Sequence, residues 1–370
     1  MTEPRGFQPP PYPYDRLDAL REIASRHDGG CVDLSVGTPG DAPPQFVLDA
    51  MSTADVRGYP PGAGTRTLID GAAGWFAQRF GVEVPASNLA ACVGTKELVA
   101  GLPHLLRLRD PERDTVLYPA VSYPTYAMGA TLAGMRPVGV PVDERGCVRL
   151  DAIDSDDARR AACLWVNTPG NPAGGVEDLG PIVAWARDHQ ILVVSDECYV
   201  EFTWSGAPST VLEHGLDGVL AVHSLSKRSN LAGIRVGFYA GDGALVDFLR
   251  EVRRHAGLMP ASQAQAGAAA ALGDQQHVDE QRARYLGRLE RMREVLQAAG
   301  IDAVLPEGGF YLWVAAPDGD GWSLATRLAE EGGVLASPGE FYGDPTRVRL
   351  AMVRPDDEIA LVAKRLGAST

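Results

Sequence analysis

Lys227 stands in a segment, residues 221–237, that reads A-V-H-S-L-S-K-R-S-N-L-A-G-I-R-V-G. A lysine that attacks a carbonyl to form a Schiff base must lose its proton near neutral pH, so it needs a walled, partly dry site. Here an apolar strand pattern runs into Ser224 and Ser226, then Lys227, and closes on Arg235 between Gly233 and Gly237. Hydroxyls, a fixed positive charge and glycines that let backbone come close are what a phosphate group requires. A surface Ser/Lys turn followed by a basic strand would be spelled in the same way, because S-x-S-K is short.

Other residues able to do chemistry are spread along the chain. Gly94 precedes Thr95 and Lys96, where a strand gives way to a helix. Free N–H groups and the positive dipole end of a helix suit an anion, although an ordinary strand–helix joint with a threonine cap reads alike. Asp196 ends the apolar run 191–197 in V-V-S-D-E-C-Y; a strand-end salt bridge is an equal alternative for it. Asn171 lies in the turn cluster N-T-P-G-N-P, and core packing alone would account for Tyr123 and Tyr199.

These residues need a scaffold, and the hydrophobic pattern supplies one. Apolar runs at 114–118, 136–142, 161–166, 191–197 and 219–223 alternate with helical patterns at 65–79, from about 95, at 123–133 and at 179–189. Short apolar strands separated by helices imply an α/β fold with a mainly parallel sheet between helices. Ligands of such sheets sit at the C-terminal strand ends, where positions 95, 167, 171, 196 and 224–227 fall. Before the sheet come a proline- and aromatic-rich arm (1–13), a helix (15–26), a short strand (32–36) and a Gly/Pro loop, G-Y-P-P-G-A-G, at 58–64. Beyond about Arg254 the alternation stops. Helices at 263–272 and 276–299, a stretch at 303–314, a strand at 348–352 and a helix at 358–366 suggest a second, α+β lobe.

Composition narrows the function. With 370 residues the chain exceeds one ordinary core, so two lobes are expected. The net charge of -14 disfavours nucleic acid as a partner, since phosphate backbones need a concentrated basic face. Five scattered cysteines without a C-x-x-C pair argue against a disulfide framework or a zinc site, and no metal site is expected. No apolar run approaches a membrane span. The expectation is a soluble, cytoplasmic protein.

Taken in order, the motifs resemble the fold-type I, class I/II aminotransferases that use pyridoxal 5′-phosphate. The resemblance covers nearly the whole length. Within that family the chain is most similar to actinobacterial N-succinyldiaminopimelate aminotransferases, through D-L-S-V-G-T-P at 33–39, G-T-K-E-L at 94–98, Y-P-T-Y at 123–126, V-V-S-D-E-C-Y at 193–199 and A-V-H-S-L-S-K at 221–227. The resemblance implies a seven-stranded sheet in a large cofactor-binding domain (42–254). The smaller α+β domain would be built from residues 1–41 and 255–370.

The resemblance also implies roles. Lys227 would carry the cofactor and act as general base and acid. Asp196 would pair with the ring nitrogen, Asn171 and Tyr199 with the ring hydroxyl, and Tyr123 would stack on the ring face. Thr95, Lys96, Ser224, Ser226 and Arg235 would hold the phosphate, joined by Tyr59 from the other subunit of a homodimer with shared sites. Arg349 would grip the substrate carboxylate, with Gly37 lending backbone, and Arg347 stands close enough in sequence to compete for that task. Two departures touch the N-P-x-N-P-T-G pattern, at Thr168 and at Ala173, where the pattern has a threonine. A third, at 259–265, bears on the substrate side chain. The implied reaction moves an amino group between glutamate and an acceptor, foremost N-succinyl-2-amino-6-oxopimelate in lysine and diaminopimelate biosynthesis. A specialised-metabolism aminotransferase and a C–S β-lyase are the alternatives.

Overall fold

The structure is a computed structural model and describes residues 6–367. Its centre is a seven-stranded sheet in the spatial order Leu89–Cys92, Gly237–Gly241, Val219–Ser224, Leu192–Asp196, Ala161–Asn167, Thr115–Pro119, Arg136–Val140. The strands are parallel except Gly237–Gly241, which runs antiparallel to both neighbours. The hydrophobic pattern carried no sign of this reversal. The link from Ser224 to Gly237 carries Lys227 and holds only the single turn Leu225–Arg228 and the short turn Ala232–Ile234, with no long helix to carry the chain back for a parallel return.

Both faces of the sheet are buried, and the two-residue strand period decides which side chain goes where. Val193 and Ala221 turn to one face, against Leu68, Phe76 and Ala268; Val194 and Val222 turn to the other, against Leu98, Leu102 and Tyr126. The first of these cores also takes in Ala264, Ala271 and Leu272 of the helix Ser262–Leu272. The large core therefore reaches past the boundary expected at residue 254. Small residues allow the close approach: a Cβ on Gly267 would lie 2.7 Å from Met51 Cγ of the helix Gln45–Ser52.

A separate core joins Leu17, Leu20 and Leu34 to Leu289, Leu312, Val348, Ile359 and Val362. It lies around an antiparallel sheet of Ser337–Pro338, Arg347–Ala351 and Tyr311–Ala315. The N-terminal strand is shorter than its pattern implied, Val32–Asp33, and pairs in parallel with Val334–Leu335. The helices Gln45–Ser52, Gly243–His255 and Gly321–Gly332 were not foreseen from periodicity. The second is amphipathic, with Asp242 accepting from the Leu245 N–H to cap it.

Candidate active site

A cavity of about 570 Å³ opens at the C-terminal ends of the parallel strands, between the two cores. It is lined by Gly37, Thr95, Lys96, Tyr123, Asn171, Asp196, Tyr199, Ser224, Ser226, Lys227, Arg235 and Arg349. Tyr59 stands apart: it is 96% exposed and does not line the cavity.

Lys227 sits on the single turn Leu225–Arg228, directly after a central strand. The turn is fixed by Ser224, whose Oγ accepts the Ser226 N–H at 3.1 Å. The Lys227 Nζ donates to the Gly37 carbonyl. Burial, with Arg349 and Arg235 adding positive charge, lowers the amine from its usual 10.5 to about 8. Such an amine is a competent nucleophile and base near neutral pH.

Next to it, the helix Thr95–Arg109 begins with no side-chain cap on its first N–H groups. The bend before it needs a glycine twice over. Gly94 has φ +73°, and a Cβ there would lie 2.3 Å from Arg235 Nη2. Arg235 itself adopts a left-handed conformation (φ 54°) and braces its guanidinium on the Ala232 carbonyl at 2.8 Å. Uncapped N–H groups, the Ser224 and Ser226 hydroxyls and this guanidinium thus converge on one end of the cavity.

Asp196 marks the floor. It is buried, and its Oδ2 accepts the Tyr126 hydroxyl at 2.8 Å while Oδ1 accepts the Cys198 N–H at 3.2 Å. Burial raises its carboxyl, and these hydrogen bonds pull it back. The Asn167 side chain donates to the Asp196 carbonyl at 2.8 Å and accepts the Asn171 N–H at 2.7 Å, tying the turn to the strand end. Tyr199 and Tyr311 join their hydroxyls at 2.9 Å.

Arg349 closes the opposite wall. Its guanidinium lies between the rings of Tyr311 and Tyr342, 4.2 and 4.4 Å from their centroids. It donates to Asn171 Oδ1 at 2.8 Å, to the Ser35 carbonyl at 2.5 Å and to the Tyr14 hydroxyl at 3.2 Å. Arg347 is outside the cavity, paired with Asp344 at 3.3 Å.

Sequence reasoning missed several lining residues: Tyr12, Tyr14, Tyr126, Cys198 and Tyr311. The signal for the first two was present in the aromatic arm, which folds back over the cavity; Lys96 Nζ lies 5.1 Å from the Tyr12 ring centroid. The first residues of that arm, 1–5, lie outside those described.

This sheet, with a half-buried lysine at its strand ends, is that of the fold-type I transferases. The family of class I and II aminotransferases matches over residues 30–366. The 4-dedimethylamino-4-oxo-anhydrotetracycline transaminase OxyQ of Streptomyces rimosus is 41% identical, aligned over 96% of this chain and 99% of its own. An LL-diaminopimelate aminotransferase of Syntrophobacter fumaroxidans is 31% identical over 96% of both. A solved structure from Thermus thermophilus, a probable N-succinyldiaminopimelate aminotransferase, superposes with a TM-score of 0.86 at 30% identity, covering 96% of this chain and 99% of that one. The chain belongs to the class I and II aminotransferases.

Its cofactor is pyridoxal 5′-phosphate. The cavity fits that group on its own evidence: an uncapped helix terminus and a guanidinium at one end, a buried carboxylate at the floor, and an amine of lowered proton affinity between them. Among the described residues no helix is long and apolar enough to cross a membrane. All five cysteines are free thiols.

Proposed function

We propose that this aminotransferase takes its amino group from glutamate and delivers it to N-succinyl-2-amino-6-oxopimelate, with Lys227 as the group that moves the proton. The observation that carries the reading is the shared cavity of Lys227, Asp196 and Arg349, with Arg349 buried between two tyrosine rings. A guanidinium so held presents a fixed fork to a carboxylate and loses little freedom on binding it.

Pyridoxal 5′-phosphate supplies a carbonyl that accepts the amino group and a ring that takes up the electrons of a deprotonated substrate carbon. The chain's own residues do the rest. Thr95 and Lys96 N–H groups, Ser224, Ser226 and Arg235 hold the phosphate. Asp196 keeps a proton at the ring nitrogen; Asn171 and Tyr199 serve the ring hydroxyl, and Tyr123 covers a ring face. Arg349, with backbone of Gly37 nearby, binds and orients the glutamate α-carboxylate. Lys227 Nζ, its proton affinity lowered to about 8, would take up and hold the proton that leaves the substrate α-carbon. Tyr59, uncovered by its own chain, belongs to the phosphate end of a second copy's site in a homodimer.

A second acceptor has an observation in its favour. The 41% identity to a transaminase acting on an oxo-anhydrotetracycline supports a ketone on a fused-ring scaffold, which would place the enzyme in specialised metabolism. One experiment addresses both. Holoenzyme is mixed with glutamate, and 2-oxoglutarate is measured per site; about one equivalent is expected, and none would end the aminotransferase reading for glutamate. The amino-loaded protein is then challenged with the succinylated aldehyde and with an oxo-anhydrotetracycline. The acceptor that regenerates the starting absorbance faster identifies the reaction.

A further inference from the structure

Tyr126 is fully buried, on the helix Thr125–Leu132, and its hydroxyl reaches Asp196 Oδ2 at 2.8 Å. An ionised carboxylate has no proton to offer, so the phenol is the donor. The ring is held on both sides. It stacks on Trp165 with centroids 5.0 Å apart and planes inclined by 24°, and it meets Tyr123 edge-on at 6.0 Å. Trp165 is completely buried.

We propose that Tyr126, seated on Trp165, is a positioning residue that holds the Asp196 carboxylate ionised and in one orientation toward the cofactor's ring nitrogen. The inference rests on the reading of the cavity given above. A carboxylate inside a protein resists ionisation unless donors stabilise its charge. Asp196 has the Cys198 N–H on one oxygen and the Tyr126 hydroxyl on the other. Removing the phenol makes the carboxylate a stronger base, so a proton shared with the ring nitrogen moves toward Asp196. It also frees the carboxylate to rotate. Both changes weaken the ion pair that keeps the cofactor's ring nitrogen charged.

The test uses holoenzyme prepared with pyridoxal 5′-phosphate labelled with ¹⁵N in the ring. In the wild type the ring-nitrogen shift should report the protonated form. In Tyr126→Phe it should move toward the unprotonated value, with the cofactor dissociation constant about tenfold weaker, the equivalent of one hydrogen bond to a charged group. In an Asp196→Asn background, the same Tyr126→Phe change should leave the dissociation constant within about twofold, because its effect runs through the carboxylate. A purely structural role would weaken binding equally in both backgrounds. An unchanged shift and affinity in Tyr126→Phe, or additive losses in the double variant, overturns the inference. If Tyr126→Phe does not fold, Trp165→Phe keeps the hydroxyl and loosens its seat; a smaller shift of the same sign supports the proposal and none refutes it. A wild type whose ring nitrogen is unprotonated, or which binds no cofactor, defeats the underlying reading of the site instead.

Discussion

Arg347 and Arg349 leave one strand two positions apart and end in unlike surroundings. Arg349 is 2% exposed between Tyr311 and Tyr342, while the Arg347 side chain is 35% exposed and salt-bridged to Asp344. Strand periodicity sends both toward one face, but Arg347 lies at the strand's end, where its long side chain turns out to solvent.

That contrast gives the first prediction. Arg349→Lys loses the planar fork and should lower kcat/KM for glutamate by roughly a hundredfold, about 2–3 kcal/mol of carboxylate recognition. Arg347→Ala should change it less than about threefold, as a surface ion pair contributes little. Steady-state kinetics on the two variants decides; equal losses would mean that the carboxylate is bound elsewhere.

Lys227 links the site to pH. Burial, reinforced by Arg349 and Arg235, lowers its amine from 10.5 to about 8. Between those values the unfolded chain holds more protons than the folded one, so the cofactor-free protein gains stability as pH rises through that window. Below it, the site holds a charge it disfavours, at a cost of up to about 3 kcal/mol. Lys227→Met should therefore stabilise the cofactor-free protein at pH 7 by up to that amount, and the advantage should vanish by pH 10.5. Urea unfolding at several pH values reads this directly. A gap that grows with pH contradicts it. The same variant should lose the absorbance of bound cofactor and essentially all turnover.

Glu201 lies two residues after Tyr199 and binds the residue after Lys227. It is 3% exposed and accepts from Trp75 Nε1 at 2.9 Å, Arg79 at 2.8 Å and Arg228 at 3.2 Å. Burial raises its carboxyl, but Arg228 and Arg79 outweigh that and hold it below the usual value. Glu201→Gln keeps the shape and leaves Arg228 inside without a counter-charge, so a loss of about 3–5 kcal/mol is expected. Urea midpoints at pH 7 test this; a change under about 1 kcal/mol would show that Arg228 finds other compensation.

Gly37 is set by contact with a ring. A Cβ there would stand 2.1 Å from the Tyr311 hydroxyl oxygen, and the Gly37 carbonyl accepts from Lys227. Gly37→Ala should push Tyr311 away from Tyr199, cost about 1–3 kcal/mol and reduce kcat/KM about tenfold. Paired calorimetry and kinetics measure both; normal values for both would mean the segment yields without disturbing the cavity.

The parts of this site legible in the sequence are those written in local spelling. Lys227 with its serines, Thr95 after Gly94 and Asp196 at an apolar strand end each announce themselves within a few residues, and the period of the strands places them on one sheet edge. What local spelling does not carry is contact across the chain. Tyr14 and Arg349 meet over a separation of 335 residues, and Tyr126 and Asp196 over 70. As isolated aromatics, Tyr14, Tyr126 and Tyr311 are indistinguishable from core residues until tertiary packing aims their hydroxyls. The antiparallel strand Gly237–Gly241 escaped for a related reason, since its glycine-flanked apolar run carries no mark of direction.

The two groups that handle a substrate's ends grow from elements of different apolar cores, Lys227 from the turn at the end of a large-sheet strand and Arg349 from a strand of the small sheet. The interval between the reacting amine and the carboxylate fork is thus a property of how two packed bodies abut, joined by the aromatic cluster of Tyr199, Phe202, Phe310 and Tyr311. Descendants of such a chain are free to exchange the molecules they accept by rewriting the seam, while each body keeps the packing that folds it.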